Sequence, residues 1–232
     1  LEGKPLARIK GKPMVRWVYE RAKKAKRITE VAVATDDNRI AEAVMAFGGK
    51  VIMTSDNSRS GTDRVGEAAK LIGLDTSDIV VNVQGDQPLI DPRCLDQVVA
   101  PLLERPEIPM STLAFAISRE EEITNPNDVK VTFDQDGFAL YFSRSPIPYA
   151  RDRSIRFDTY KHLGVYAYTL KFLRIFQKLP ESRLEKIEKL EQLRALESGY
   201  RIKVVVTEYD SPEVDLPVDI QKIEKLSDES TE

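Results

Sequence analysis

The stretch ITEVAVATDDNRIAEAVMAFGGKVIMTS, residues 28–55, decides the fold class. An apolar run at 31–34 gives way to the polar TDDN of 35–38, after which apolar side chains recur at Ile40, Ala43, Val44 and Phe47. That spacing is helical, Gly48 and Gly49 supply the stop, and 50–53 reads as a second strand. Strand, helix and strand in this order make a βαβ unit. Downstream, 62–73 continues as a helix ending near Gly73, and 79–83 is a β-branched run of the kind buried on both faces of a parallel sheet. The first half therefore reads as doubly wound α/β.

After residue 110 the pattern changes. MSTLAFAI (110–117), DVKVTFDQDGFALYFSR (128–144) and YKHLGVYAYTL (160–170) are short strands with a hairpin signal at 134–137, which predicts an antiparallel extension. Helices are expected at 170–178 and 184–198, the second carrying Leu190, Leu193 and Leu196 and ending at Gly199. RIKVVVTEY (201–209) returns to the sheet, and the polar tail beyond Leu226 is expected to fray. Neither an internal repeat nor a Pro/Ser/Gly linker divides the chain.

Composition narrows the function classes. The 232 residues suffice for one large α/β domain, and 35 Lys and Arg against 38 Asp and Glu give a net charge of −3. That balance argues against a nucleic-acid binder or a polybasic membrane anchor and favours a small partner. The single cysteine, Cys94, excludes an internal disulfide; no apolar run is long enough to span a bilayer, so a cytoplasmic setting is expected. The first residues, LEGKPLARIKGKPM, pass from loop to helix with no strand before them. A doubly wound sheet places its first strand centrally, so the natural protein is expected to carry an N-terminal strand and loop beyond this sequence.

Candidate chemistry lies at the strand ends. In DIVVNVQGDQPLID (78–91) the β-branched run stops at Gly85-Asp86, where parallel sheets bind ligands. Asp86 there can hold Mg²⁺, whose other ligands are commonly water and phosphate, or it can cap the next turn. In SRSGTDRVGEA (58–68), Ser60, Gly61 and Thr62 precede a helix, and with Arg64 they make either a nucleotide cradle or an ordinary N-cap beside an exposed charge. The Gly3-Lys4 pair can meet phosphates but lacks Walker spacing. Arg144, at a strand end, can clamp a carboxylate or pair with a nearby Glu. His162, the only histidine, stands among aromatic residues where a structural role is common, and Glu191 and Gln192 flank the leucine stripe. Asp215, after the last strand, can supply a second carboxylate to the metal of Asp86.

Read in order, GKPL (3–6), GKPM (11–14), VATDD (33–37), SGTDR (60–64), NVQGDQP (82–88), ALYFSR (139–144), YKHLGVYAY (160–168), LEQLRALESG (190–199) and VDLP (214–217) resemble the Kdo cytidylyltransferases. These enzymes activate the acid sugar 3-deoxy-D-manno-octulosonate (Kdo) for bacterial lipopolysaccharide. The resemblance spans essentially the whole chain. It implies a Rossmann-like nucleotidyltransferase fold, with a mixed, mostly parallel sheet flanked by helices and a smaller antiparallel extension. Residues 1–226 would form a single domain: 1–110 the nucleotide-binding half, 111–200 the sugar-binding and dimerisation part, and 201–226 the return to the main sheet. By similarity, CTP and Mg²⁺ meet the sugar, whose anomeric C2 oxygen attacks the α-phosphate and expels pyrophosphate. Such a transfer needs charge neutralisation and in-line placement more than a covalent nucleophile.

The same resemblance implies the roles. Asp86 and Asp215 match the metal carboxylates and Lys4 the triphosphate lysine, the three catalytic positions; Ser60, Gly61, Thr62 and Arg64 match the cytidine-binding loop. Arg144 would clamp the sugar carboxylate, with Gln84, His162, Tyr166, Glu191 and Gln192 lining the sugar pocket. The chain departs from the family pattern at its amino-terminal strand and nucleotide loop, at Glu2 where proline is usual, and at 216–219, which lacks the family's threonine and glutamate. An 8-amino-3,8-dideoxy-manno-octulosonate cytidylyltransferase is the nearest alternative, suggested by Gln87 where many relatives have glutamate. A sugar transferase lacks its usual D-x-D here, and a nucleotide-binding relative without catalysis is the remaining reading. Relatives are homodimers, with 129–142 the expected interface.

Overall fold

The computed structural model describes residues 3–58, 60–152, 154–214 and 216–229. After a 3-10 turn at Lys4–Leu6 come β1 (Arg8–Ile9), β2 (Lys12–Pro13), α1 (Met14–Ala22), β3 (Val33–Thr35), α2 (Asn38–Ala46), β4 (Val51–Met53) and α3 (Gly61–Leu71). Next are β5 (Ile79–Asn82), α4 (Pro92–Glu104), β6 (Met110–Ala116), α5 (Glu120–Thr124), β7 (Lys130–Phe133) and β8 (Ala139–Ser143). The chain closes with β9 (Tyr160–Thr169), α6 (Leu170–Phe176), α7 (Arg183–Glu188), α8 (Leu193–Glu197), β10 (Ile202–Thr207) and α9 (Pro217–Glu229). The described residues fall into two compact units, one within 1–75, 82–96 and 209–232, the other within 76–81 and 97–208.

In the first unit the βαβ reading of 28–55 holds: β3 and β4 pair in parallel, Val33 opposite Val51 and Thr35 opposite Met53. Asp37 starts α2 by accepting the Arg39 backbone N–H at 2.8 Å. The stop after α2 is steric as well as conformational. A Cβ on Gly49 would come within 2.6 Å of Val44 Cγ1 and 2.7 Å of the Phe47 ring, so a larger residue would force the helix end off the strand. Tyr19 of α1 packs on Phe47 and its hydroxyl accepts the Lys50 N–H at 3.1 Å. The core of this unit includes Ile9, Met14, Val214 and Ile223, packed against Trp17, Leu89 and Ile220. Full burial of side chains of this size stabilises by about 1.5–3 kcal/mol each. Val214 thereby becomes a fixed point beside the strand-end turn at Asp86, whose carbonyl accepts the Val214 N–H at 2.9 Å.

The second unit is built on a six-stranded sheet in the order β10-β6-β9-β7-β8, with β5 also pairing β9. β10 runs parallel to β6, whereas β6–β9, β7–β9 and β7–β8 are antiparallel. The expected hairpin is present. Asp134 accepts the Gly137 N–H at its carbonyl and the Phe138 N–H at its carboxylate, and Gly137 takes φ 73°, a conformation that favours glycine. Two stretches differ from the sequence reading: 217–229, expected as part of the sheet return and tail, forms the helix α9, and 184–198 is not continuous, because Lys189 adopts the left-handed conformation (φ 55°, ψ 47°) and separates α7 from α8. Leu190, Leu193 and Leu196 all follow Lys189, so their helical spacing carries no sign of the break before them.

A second irregularity shapes this unit. Along β6, Thr112 faces Tyr166 but Leu113 faces Leu163, so Gly164 and Val165 bulge out of the ladder. Thr112, fully buried, fills the gap: its hydroxyl donates to the Val165 carbonyl at 2.8 Å. Thr112 thereby satisfies a carbonyl that the bulge takes out of the ladder.

Candidate active site

In the first unit the Lys4 turn meets the Asp86 turn. Gly3, at φ 68°, directs the chain into the Lys4–Leu6 turn, and Lys4 Nζ lies 2.8 Å from Asp86 Oδ2. Pro5 stacks against Gly85, where an added Cβ would sit 3.8 Å from its ring. Asp86 Oδ1 is buried without a hydrogen-bond partner. A buried carboxylate oxygen left open beside a cation is what a metal–phosphate complex uses, and Mg²⁺ commonly takes one or two carboxylates with water and phosphate completing its shell. Among the described residues no three His, Cys, Asp or Glu side chains cluster as a metal cage. Asp215, the second metal carboxylate implied by the resemblance, lies outside the described residues.

Residues 60–64, the cap and first turn of α3, do two jobs. Ser60 caps α3, its hydroxyl accepting the Asp63 N–H at 3.2 Å, while Arg64 reaches back to Thr54 Oγ1 at 2.6 Å and Asp36 Oδ2 at 2.8 Å. The Arg64 hydrogen bond holds the Asp36 carboxyl below its ordinary range. Thr62 is buried and Gly61 lies open against Gln84, whose amide atoms would be 3.5 and 3.6 Å from a Cβ there. Gln84 belongs to the same unit as Asp86 and residues 60–64, while the other residues that the resemblance gives to the sugar belong to the second.

Those residues gather in the second unit. Arg144 leaves β8 with its guanidinium on backbone carbonyls: Nε on Glu188 at 2.7 Å, Nη1 on Pro126 at 2.9 Å and Nη2 near Lys189 at 3.5 Å. The left-handed turn at Lys189 follows directly on Glu188, so the helix break and the arginine seat are one feature. The Glu188 carboxylate instead accepts Ser143 Oγ at 2.7 Å and the Arg144 backbone N–H at 3.0 Å. Among the described residues no carboxylate pairs with the Arg144 guanidinium, which is braced by backbone carbonyls instead.

His162 sits edge-on to Phe142 at 5.1 Å and beside Tyr166 at 5.3 Å, with Nε2 at 2.9 Å from Thr112 Oγ1. Because the single Thr112 proton goes to the Val165 carbonyl, Thr112 accepts and His162 Nε2 donates. That assigns the Nε2–H tautomer and leaves Nδ1 as an acceptor. Burial pushes the His162 pKa down to about 3, so the ring is neutral near pH 7 and suits hydroxyl recognition more than proton transfer. Gln192, 4% exposed, keeps Nε2 buried with no partner, and Glu191 Oε1 lies 3.9 Å from Arg194. Thr112 and Glu188 escape the sequence reading. Gly164 inside a strand is the one signal for the bulge that Thr112 fills.

Comparison with known proteins identifies the family. A family model described as Cytidylyltransferase matches residues 1–203. A 3-deoxy-manno-octulosonate cytidylyltransferase from Desulfatibacillum aliphaticivorans is 67% identical over 97% of this chain and 92% of that protein. An 8-amino-3,8-dideoxy-manno-octulosonate cytidylyltransferase from Shewanella piezotolerans is 56% identical over 94% of this chain and 89% of its own. A solved structure of a CMP:2-keto-3-deoxy-manno-octonic acid synthetase complexed with CTP superposes with a TM-score of 0.92 at 43% identity, covering 99% of this chain and 93% of that one. The chain belongs to the cytidylyltransferase family, on the branch whose named members act on manno-octulosonate sugars.

Proposed function

We propose that this enzyme transfers CMP from CTP to the anomeric hydroxyl of Kdo, releasing pyrophosphate, with Mg²⁺ as cofactor. The observation that carries the reading is the Asp86 carboxylate, one oxygen held by Lys4 and the other buried and open. Asp86, with Asp215, would hold the metal, which when bound neutralises phosphate charge and favours in-line displacement at the α-phosphorus. Lys4 meets the triphosphate, and Ser60, Gly61, Thr62 and Arg64 cradle the cytidine. Arg144 orients the sugar through its carboxylate, while His162 Nδ1 accepts and Gln192 Nε2 donates a hydrogen bond to hydroxyls. Tyr166 and Glu191 complete the polar lining. The C2 oxygen bonds to the α-phosphorus as the bond to pyrophosphate breaks, and the hydroxyl proton is released.

The 67% and 64% identical relatives carry the Kdo name, while at 54–56% both names occur, which supports Kdo over its 8-amino analogue as the sugar. The setting is cytoplasmic lipopolysaccharide synthesis; among the described residues no helix is long and apolar enough to cross a membrane. A homodimer through the edge strand β8 suits Leu140, which is 61% exposed there, and light scattering that shows a monomer at micromolar concentration refutes it. The test of function is pyrophosphate release from CTP with Mg²⁺ and either sugar, for the protein and Asp86→Asn. Release that requires Kdo and is lost in the variant supports the reading; release without sugar, or unaffected by the variant, refutes it.

A further inference from the structure

Residue 87 follows the metal-site aspartate, and its side chain is fully buried. Gln87 Nε2 donates to Glu213 Oε1 at 3.0 Å, while Gln87 Oε1 is buried with no partner. A residue there for packing alone would be better as leucine or methionine, which carry no orphaned acceptor. What the amide gains at this cost is its bond to Glu213.

That bond closes a two-point tether. The Gln87 N–H meets the Gln84 carbonyl at 3.4 Å, closing the 84–87 turn around Asp86, and the Val214 N–H donates to the Asp86 carbonyl at 2.9 Å. Val214 is anchored among Ile9, Met14 and Ile223. One bond to an anchor leaves a turn free to pivot about it, whereas a second bond one residue on removes the pivot. Lys4 also restrains Asp86 through Oδ2. A bound triphosphate competes for the Lys4 ammonium, and once that restraint is shared the Gln87–Glu213 bond remains to fix the turn.

We propose that Gln87 is a positioning residue for Asp86: by binding Glu213 it locks the turn that aims the open Asp86 Oδ1 at a divalent cation. This rests on the reading of Asp86 as a metal carboxylate. Residues that orient a metal ligand typically change metal affinity by about 10–100-fold when altered.

The test uses Mn²⁺ as the probe, titrated by electron paramagnetic resonance into the full chain with CTP present, alongside the Mg²⁺ dependence of pyrophosphate release. Gln87→Leu keeps the volume and loses the bond; Gln87→Glu sets two carboxylates against each other; Gln87→Glu with Glu213→Gln exchanges donor and acceptor. The single variants are expected to bind Mn²⁺ about tenfold more weakly, with the Mg²⁺ half-saturation shifted equally and kcat near wild type at saturating metal. The exchanged pair is expected to recover to within about threefold. Single variants that melt earlier but bind Mn²⁺ as wild type does, or an exchanged pair no better than Gln87→Glu, overturn the proposal and leave the proposed function standing. Wild type that binds no Mn²⁺ with CTP overturns the metal reading of Asp86, and the proposal with it.

Discussion

Acidification from pH 7 to pH 5 should destabilise the second unit through one residue, His162, and the effect can be isolated by His162→Gln. The folded ring has its pKa pushed down by burial to about 3, against an ordinary 6.5. Between these values the unfolded chain takes up a proton that the folded chain refuses, so stability falls as pH falls, beginning near pH 6.5. Integrating the linkage from pH 7 to pH 5 gives about 2 kcal/mol, and any folded value below about 4.5 gives nearly the same figure. The glutamine amide can still donate to Thr112 Oγ1 and has no charge to gain. Urea denaturation followed by circular dichroism at both pH values should show the wild type losing about 2 kcal/mol more than the variant, in the step that melts the second unit. Since the chain has one histidine, its Cε1 proton is a single resolved reporter in NMR. A midpoint near 6.5 for that signal, or equal acid losses in the two proteins, would refute the account of His162 as a neutral hydrogen-bonding ring.

Other substitutions separate structure from binding. Thr112→Val leaves the Val165 carbonyl and the His162 N–H unpaired in the bulge and should cost about 1–3 kcal/mol in urea denaturation, whereas Thr112→Ser should restore most of it. Lys4→Met removes an ion pair about a quarter exposed at each end, worth about 0–1 kcal/mol or less, so the melting temperature should barely move while KM for CTP rises about tenfold or more. An equal loss in both readouts would make Lys4 structural. Arg144→Lys cannot span the carbonyls of Glu188 and Pro126, so KM for the sugar should rise about tenfold with KM for CTP unchanged, as steady-state kinetics with each substrate varied would report.

How much of this was legible in the sequence depended on whether a feature was local. The βαβ unit of 28–55 was readable because side-chain period and a glycine stop are local signals, and the 134–137 hairpin for the same reason. The break at Lys189 was not, since a lysine in the left-handed conformation is imposed by its surroundings and residue type does not announce it. Thr112 became important only through β9, whose bulge brings residues about fifty positions away against its hydroxyl. Glu188 carried no signal in the sequence, because the partners through which it organises the end of β8, Ser143 and Arg144, are more than forty positions away. Roles such as those of Asp86 and Arg144 came from the family resemblance; from spacing alone each kept an ordinary alternative.

The carbonyl seat under Arg144 bears on the thermodynamics of recognition. A free arginine gives up torsional entropy when it clamps a ligand, about 0.5–1.5 kcal/mol for a long side chain immobilised at an interface. Here the guanidinium is already held by Glu188 and Pro126, so that loss falls on folding and not on docking. An acid group arriving at this arginine would meet a plane of known orientation. Its binding enthalpy would then survive largely intact into affinity, and a sugar lacking the carboxylate would forfeit the interaction with no flexible side chain to relax in compensation.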